Sequence, residues 1–373
     1  QMANQFIAGS TPEEAIAAVL KLRQRGMAFT LDVLGETIIA DRIAREHQTL
    51  YLKLISELSR EAPNWSPVPL VDDAPWGPLP RVNISLKLSA IVPKFDPADP
   101  ARTTEVVLDR LRPILRAGRD TGSFIYVDME HYAVKDLTLD IYQRILMEAE
   151  FRDWPDCGLV IQCYMPDGER DLAALIDWTR PRGTPITVRL VKGAYWDSET
   201  AKAILNGWPI PLFTRKWESD VAFETVARLM LENEGTIHSA FASHNVRSIA
   251  AVMAQEAALG LPPNTAEFQM LTGMGNPLKR ALVAMNRRVR IYAPCGDQMA
   301  GMAYFIRRLI ENTANESFLR QTFSENTPVA QLLDDPAEHR YIPDTPLPQP
   351  FIRAIEGQDE EVEAIPMTPF VNE

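Results

Sequence analysis

Short β-rich runs alternate with longer amphipathic stretches along most of this chain. The runs fall at residues 29–34, 82–88, 124–128, 159–164, 187–191, 240–243, 266–270 and 289–292. Most are followed by a stretch with apolar residues at helical spacing, as at 102–118, 137–150, 167–178, 220–233 and 246–258. Eight strand-then-helix units in one continuous region predict a (β/α)8 barrel closed by right-handed crossovers. A doubly wound open sheet is the alternative, but no glycine fingerprint follows the first run.

Ahead of the first run, Thr11-Pro12-Glu13-Glu14 is a capping box with proline at the first helical position. It predicts a helix to about residue 25, stopped by Gly26. Residues 62–80, rich in Pro, Trp and Asp, read as a loop that lengthens the first crossover. From about Thr327 the chain is proline-rich and acidic and has no sustained periodicity. Three parts follow: a helical arm at 1–28, the barrel at 29–325, and a tail or linker at 326–373.

The composition, 46% hydrophobic and 24% charged, is that of a globular protein. A net charge of -12 without any basic run argues against nucleic acid as a partner. Cys157, Cys163 and Cys295 lack C-x-x-C spacing and read as reduced thiols. No opening segment reads as a signal peptide and no apolar run approaches a membrane span, so the expectation is a cytoplasmic protein whose membrane contact, if any, is peripheral.

Chemistry on such barrels belongs at the C-terminal ends of the strands. Lys87 lies near the end of the second run, Asp128 and Glu130 close the third, and Gln162 lies in the fourth. Arg189 and Lys192 come from the fifth, His244 and Asn245 follow the sixth, Gln269 lies in the seventh and Tyr292 ends the eighth. Alternation puts Arg189, Val191 and Gly193 on one face and Val188, Leu190 and Lys192 on the other. An interior Arg189 needs an anionic partner, because isolated buried charge is very costly. An internal pair with Asp128 and a ligand-binding role both satisfy that need. Gly193-Ala194 would let a ligand approach the backbone closely.

The segment after the eighth run is helical, with Tyr304, Arg307, Arg308 and Glu311 on one stripe. Met302, Phe305, Ile306, Leu309 and Ile310 form an opposite, apolar stripe suited to packing. Two guanidiniums beside a tyrosine can grip a small carboxylate bidentately. A solvated face laced by an Arg307/Glu311 pair is the other reading. Asp128, Glu130, His131 and His244 also raise a metal-dependent barrel hydrolase. Five histidines without an H-x-H or H-E-x-x-H pair give no metal-ligand motif, and no metal is expected.

Several segments, in order, carry a resemblance: Ser85-Leu86-Lys87-Leu88-Ser89-Ala90, then Arg189-Leu190-Val191-Lys192-Gly193-Ala194-Tyr195-Trp196-Asp197, then Thr214-Arg215-Lys216. His244-Asn245, Glu267-Phe268-Gln269 and Tyr304-x-x-Arg307-Arg308-x-x-Glu311 complete the set. Over about residues 5–325 the chain resembles the proline dehydrogenase family, in particular the flavoenzyme domain of bifunctional bacterial proline utilization A proteins. The resemblance implies a distorted (β/α)8 TIM-like barrel with an N-terminal helical arm and an extended C-terminal tail, holding FAD non-covalently across the strand ends. It implies oxidation of L-proline to Δ1-pyrroline-5-carboxylate, with electrons passed to a membrane quinone.

By position, Arg307 and Arg308 look like the carboxylate clamp, with Lys87 as a third cation. Leu271, Tyr292 and Tyr304 would wall in the pyrrolidine ring, and Tyr292 resembles the proline-specific members. Asp128 and Arg189 look like the family's active-site pair. Met129, Gln162, Arg189, Val191, Lys192, Gly193, Ala194 and Trp196 resemble the cofactor shell, as do Thr214, Lys216, Ser243, His244, Gln269 and Glu311. Glu36 resembles the acid that pairs with the first arginine and gates the site. Ser243 departs from the family in standing where threonine is common. In the bifunctional members a tail like this one leads into an NAD-dependent aldehyde dehydrogenase half, so the resemblance implies an excised domain lacking that half. A non-catalytic regulatory module is the remaining alternative.

Overall fold

The computed structural model describes residues 6–35, 38–296, 301–313 and 333–341. Eight parallel strands close into the barrel that the alternation predicts: β1 (Ala28–Val33), β2 (Asn83–Leu86), β3 (Phe124–Val127), β4 (Cys157–Gln162), β5 (Ile186–Val191), β6 (Ile237–Ala242), β7 (Glu267–Leu271) and β8 (Val289–Cys295). Each pairs with its sequence neighbours, and β8 returns to β1 in a register from Ala28 opposite Arg290 to Val33 opposite Cys295.

Helix α1 (Pro12–Arg23) precedes the barrel. The crossovers carry α2 (Asp41–Glu61), α3 (Pro100–Thr121), α4 (Tyr132–Leu146), α5 (Gly168–Arg182), α6 (Trp196–Leu205), α7 (Lys216–Glu232), α8 (Val246–Ala258) and α9 (Asn276–Ala284), and α10 (Met302–Thr313) follows β8. Side-chain caps start several of them: Thr11 accepts from the Glu14 amide, Asp99 from Arg102 and Asn245 from Ser248.

Apolar packing is concentrated between the barrel and its helices. Val188, Leu190, Phe241 and Phe268 from the strands are fully buried together with Leu111, Ile141, Leu172 and Phe223 from the helices. Each such side chain contributes roughly 1.5–3 kcal/mol when fully buried. This shell is what frees the barrel interior for polar residues.

The segments outside the eight repeats add to their sequence-based reading. The predicted N-terminal helix packs on the barrel: Ala15 and Val19 of α1 are fully buried in the main core, and Arg23 donates to both carboxylate oxygens of Asp72 at 2.8 Å. The barrel itself begins one residue earlier than expected, at Ala28. The 62–80 loop contains a short helix, Pro69–Asp72, and a hairpin pairing Asp73–Ala74 with Gly77–Pro78. Its Trp76 stacks on His238 at 3.9 Å and lies under Arg288 at 5.2 Å, so this segment covers the N-terminal end of the barrel. Within the tail, a 3-10 turn at Pro336–Tyr341 packs against α7, and the Leu333 carbonyl accepts from Arg247 at 2.8 Å. The rest of the tail lies outside the described residues.

Candidate active site

A polar column fills the barrel interior. Near its base Glu267 accepts from Arg290 at 2.7 and 2.9 Å and lies 3.3 Å from Arg288. Burial alone would raise this carboxyl, but Arg290 and Arg288 outweigh it and bring it down to about 2. Glu267 also accepts from the Gln269 amide nitrogen at 2.7 Å. The amide oxygen is thereby turned toward Arg189, whose Nε donates to it at 2.6 Å.

Arg189, 3% exposed, continues upward to Asp128 Oδ1 at 2.6 Å and Ser85 Oγ at 3.0 Å. Its guanidinium lies 3.9 Å from the Tyr126 ring centre. Gly158 makes room for that ring, since a Cβ there would lie 2.4 Å from it. The second oxygen of Asp128 accepts from the Tyr292 hydroxyl at 2.6 Å, and Lys87 Nζ lies 3.5 Å away. Lys87 donates in turn to Asp32 at 2.9 Å and to Tyr292 at 3.2 Å. Burial, and then the charges of Asp128 and Asp32, push the Tyr292 hydroxyl well above its ordinary value, which keeps it a donor. The internal pair of Arg189 with Asp128 is therefore present, and the same guanidinium lines the cleft above it.

Above this column the strand ends open into a cleft with about 980 Å³ of empty space, counting its mouth. Val160, Val191, Ala242 and Met270 form a mainly apolar floor, edged by Met129, Gln162 and Ser243. The Gln162 amide donates to the Glu130 carbonyl at 2.6 Å, and Ser243 Oγ accepts from the Asn245 amide at 3.0 Å. Gly193 is needed here twice over: its φ is 141°, and a Cβ would lie 2.4 Å from the Tyr164 ring.

As alternation predicts, Lys192 leaves the column and binds Asp220 of α7 at 2.5 Å, a carboxylate it shares with Lys216 at 2.9 Å. Burial works against Asp220, yet the two lysines hold it well below the usual carboxylate range. His244 accepts from the Leu271 amide at 3.1 Å through Nε2. Burial first, then Lys279 and Arg308, lower its imidazole to about 3, so it is neutral at physiological pH.

Helix α10 roofs the cleft with Tyr304, Arg307 and Arg308. Tyr304 and Arg308 are buried, at 6% and 5% exposure, while Met302 and Ile306 are about half exposed, at 48% and 50%. The expected packing of the apolar stripe is therefore partly reversed, because the cleft beneath the helix takes its polar face. Arg307 lies 5.0 Å from the Tyr195 ring and Arg308 5.1 Å from the Tyr304 ring.

Lys87, Asp128, Met129, Gln162, Arg189, Val191, Lys192, Gly193 and Ala194 line one cleft with Ser243, His244, Gln269, Leu271, Tyr292, Tyr304, Arg307 and Arg308. Trp196, Thr214 and Lys216 stand outside its lining: Trp196 donates to the Phe213 carbonyl at 2.9 Å, and Thr214 is exposed. Glu36 and the Glu311 side chain lie outside the described residues. Asp128, Glu130 and His244 face different partners, and among the described residues no three His, Cys, Asp or Glu side chains are grouped to hold a metal.

Sequence reasoning missed Asp32, Ser85 and Asp220. An aspartate within the apolar run Phe29 to Val33 was the available signal for the first, since a strand rarely buries one unpaired.

A family model described as proline dehydrogenase matches residues 15–321. The chain belongs to the proline dehydrogenase family. It is 33% identical over 342 residues to the bifunctional protein PutA of Klebsiella aerogenes, covering 90% of this chain and 25% of that protein. It is 28% identical over 317 residues to proline dehydrogenase 1 of Bacillus subtilis, covering 85% of this chain and 89% of that one. Among solved structures, proline utilization A from Bdellovibrio bacteriovorus inactivated by N-propargylglycine superposes with a TM-score of 0.89 at 43% identity. That match covers 92% of this chain and 36% of the other. The chain thus spans about a quarter of the length of its bifunctional PutA relatives in the proline dehydrogenase family.

Proposed function

We propose that this chain oxidises L-proline to Δ1-pyrroline-5-carboxylate with bound FAD, at the cytoplasmic side of the membrane that holds its quinone acceptor. The cleft suits such a cofactor. Its lining is mainly apolar, as an aromatic ring system requires, and the buried Lys192 is part of it. When bound, FAD would supply the two-electron acceptor, taking hydride from the ring carbon beside nitrogen at its N5 and passing electrons on to the quinone.

The observation that carries the reading is the roof of Arg307 and Arg308 facing Lys87 across a cleft whose floor is built on the Arg189–Asp128–Tyr292 column. Arg307 and Arg308 grip the substrate carboxylate, which fixes the ring in one orientation. Leu271, Tyr292 and Tyr304 enclose the ring and exclude water. Arg189 is held rigidly by three hydrogen bonds, so its positive charge is fixed beside the reacting region. In this reading Glu36 and Glu311 complete the gate and the cofactor shell.

Two measurements test the proposal together. The purified protein should absorb blue light and release FAD on denaturation, and with a soluble quinone analogue it should convert L-proline to a trappable cyclic imine. N-propargylglycine, which inactivated the Bdellovibrio protein, is expected to inactivate this one. A colourless protein that takes up no FAD, or an FAD-loaded one that leaves L-proline unchanged, contradicts the reading.

A further inference from the structure

Asp32 is the buried acid that neither the column nor the clamp accounts for. It lies on β1 at 1% exposure; Oδ2 accepts from Lys87 at 2.9 Å, and Oδ1 is buried without a hydrogen-bond partner. Leaving a buried acceptor unserved is unfavourable, more so for a charged group. The groups around it are Lys87 from the exit of β2, Asp128 from the exit of β3, Tyr292 and Cys295 from β8, and Tyr51 from α2. Burial raises its carboxyl, Lys87 pulls it back and Asp128 adds to the rise, leaving it at about 6. Asp32 also lines a narrow crevice together with Lys87, Tyr304 and Arg307, so it borders residues of the carboxylate clamp.

The reaction proposed above, on which this inference rests, needs a proton acceptor. L-proline carries a protonated ring nitrogen at neutral pH, and that nitrogen must free a lone pair before a C=N bond can form. Arginine cannot take the proton. Asp128 is already bonded to Arg189 and Tyr292, each at 2.6 Å. We propose that Lys87 and Asp32 form a relay that removes this proton. The substrate N–H bond breaks and its proton goes to Lys87, while Lys87 passes one of its own to Asp32 Oδ2, where an O–H bond forms. The lysine ends with the charge it began with, Asp32 ends neutral, and no electrons change hands. Asp32 acts through Lys87 and is thus a proton store rather than a group in contact with the substrate.

The test is Asp32→Asn, which keeps the size and the Lys87 contact but cannot take up a proton. In the FAD-loaded protein mixed anaerobically with L-proline, the wild-type bleaching rate should fall below about pH 6. The variant should lose that limb and be slower by about 10²–10⁴-fold at neutral pH. Its deficit should shrink at alkaline pH, where the amine is already neutral.

Two readouts separate proton transfer from packing. A cyclic ether carboxylic acid, with the ring and carboxylate but no N–H, should bind both proteins equally. Infrared difference spectra across the same pH range, taken even without flavin, should show a protonated-carboxyl band in the wild type that the variant lacks. Should the variant not fold, the wild-type pH limb still decides. A wild-type rate flat through this range, an unchanged variant profile, or ether-acid binding weakened as much as turnover overturns the relay alone. A wild type that never bleaches overturns the proline reading and the relay with it.

Discussion

Replacing Glu267 by glutamine removes the carboxylate that Arg288 and Arg290 share inside the barrel. Those guanidiniums are 1% and 4% exposed, so neither can turn to water for compensation. Removing one partner of a buried ion pair costs about 3–5 kcal/mol. The same pairing brings the carboxyl from 4.5 to about 2, a shift worth on the order of 3 kcal/mol at neutral pH. The two figures agree, and Glu267→Gln should lose about 3–5 kcal/mol in urea unfolding at neutral pH.

The sign of the pH dependence is fixed. A depressed carboxyl contributes stability that is complete above its unfolded value of 4.5 and is lost as pH falls through about 2. The gap between wild type and variant should therefore close toward the acid end. Neutral His244, lowered from 6.5 to about 3, removes stability over a higher window in both proteins and leaves the gap alone. A gap under about 1 kcal/mol at neutral pH, or one that stays constant in acid, would refute the role given to the column.

Arg307→Met should weaken proline binding by about 10- to 150-fold, the worth of a charged hydrogen bond, with flavin content unchanged; loss of flavin would mean that the arginine holds the cofactor instead. Gly193→Ala forces a side chain into left-handed backbone and against the Tyr164 ring, so it should abolish flavin retention while far-ultraviolet circular dichroism stays that of the barrel. Asp220→Asn leaves the buried Lys192 without its anion and should destabilise by about 3–5 kcal/mol in urea, with partial rescue by glutamate.

The barrel was legible because each of its strands is a compact apolar run bounded by turn chemistry, and period-two alternation separated Arg189 from Lys192 correctly. The strand-exit rule gathered most of the cleft for the same reason. The hairpin at Asp73–Ala74 and Gly77–Pro78 was not legible, since strands of two residues have no periodicity. Helix α10 was misread in part because an amphipathic helix is assumed to bury its apolar face, and here a polar cleft lies beneath it. Asp32 escaped notice because its significance depends on Lys87 arriving from another strand, a contact 55 positions away in sequence.

Anaerobic addition of L-proline to the FAD-loaded protein, followed at the blue flavin band, tests the central claim most directly. Stoichiometric bleaching, with one equivalent of Δ1-pyrroline-5-carboxylate formed per flavin and colour restored by a quinone, is the predicted result. A flavin band that L-proline leaves unchanged would contradict it.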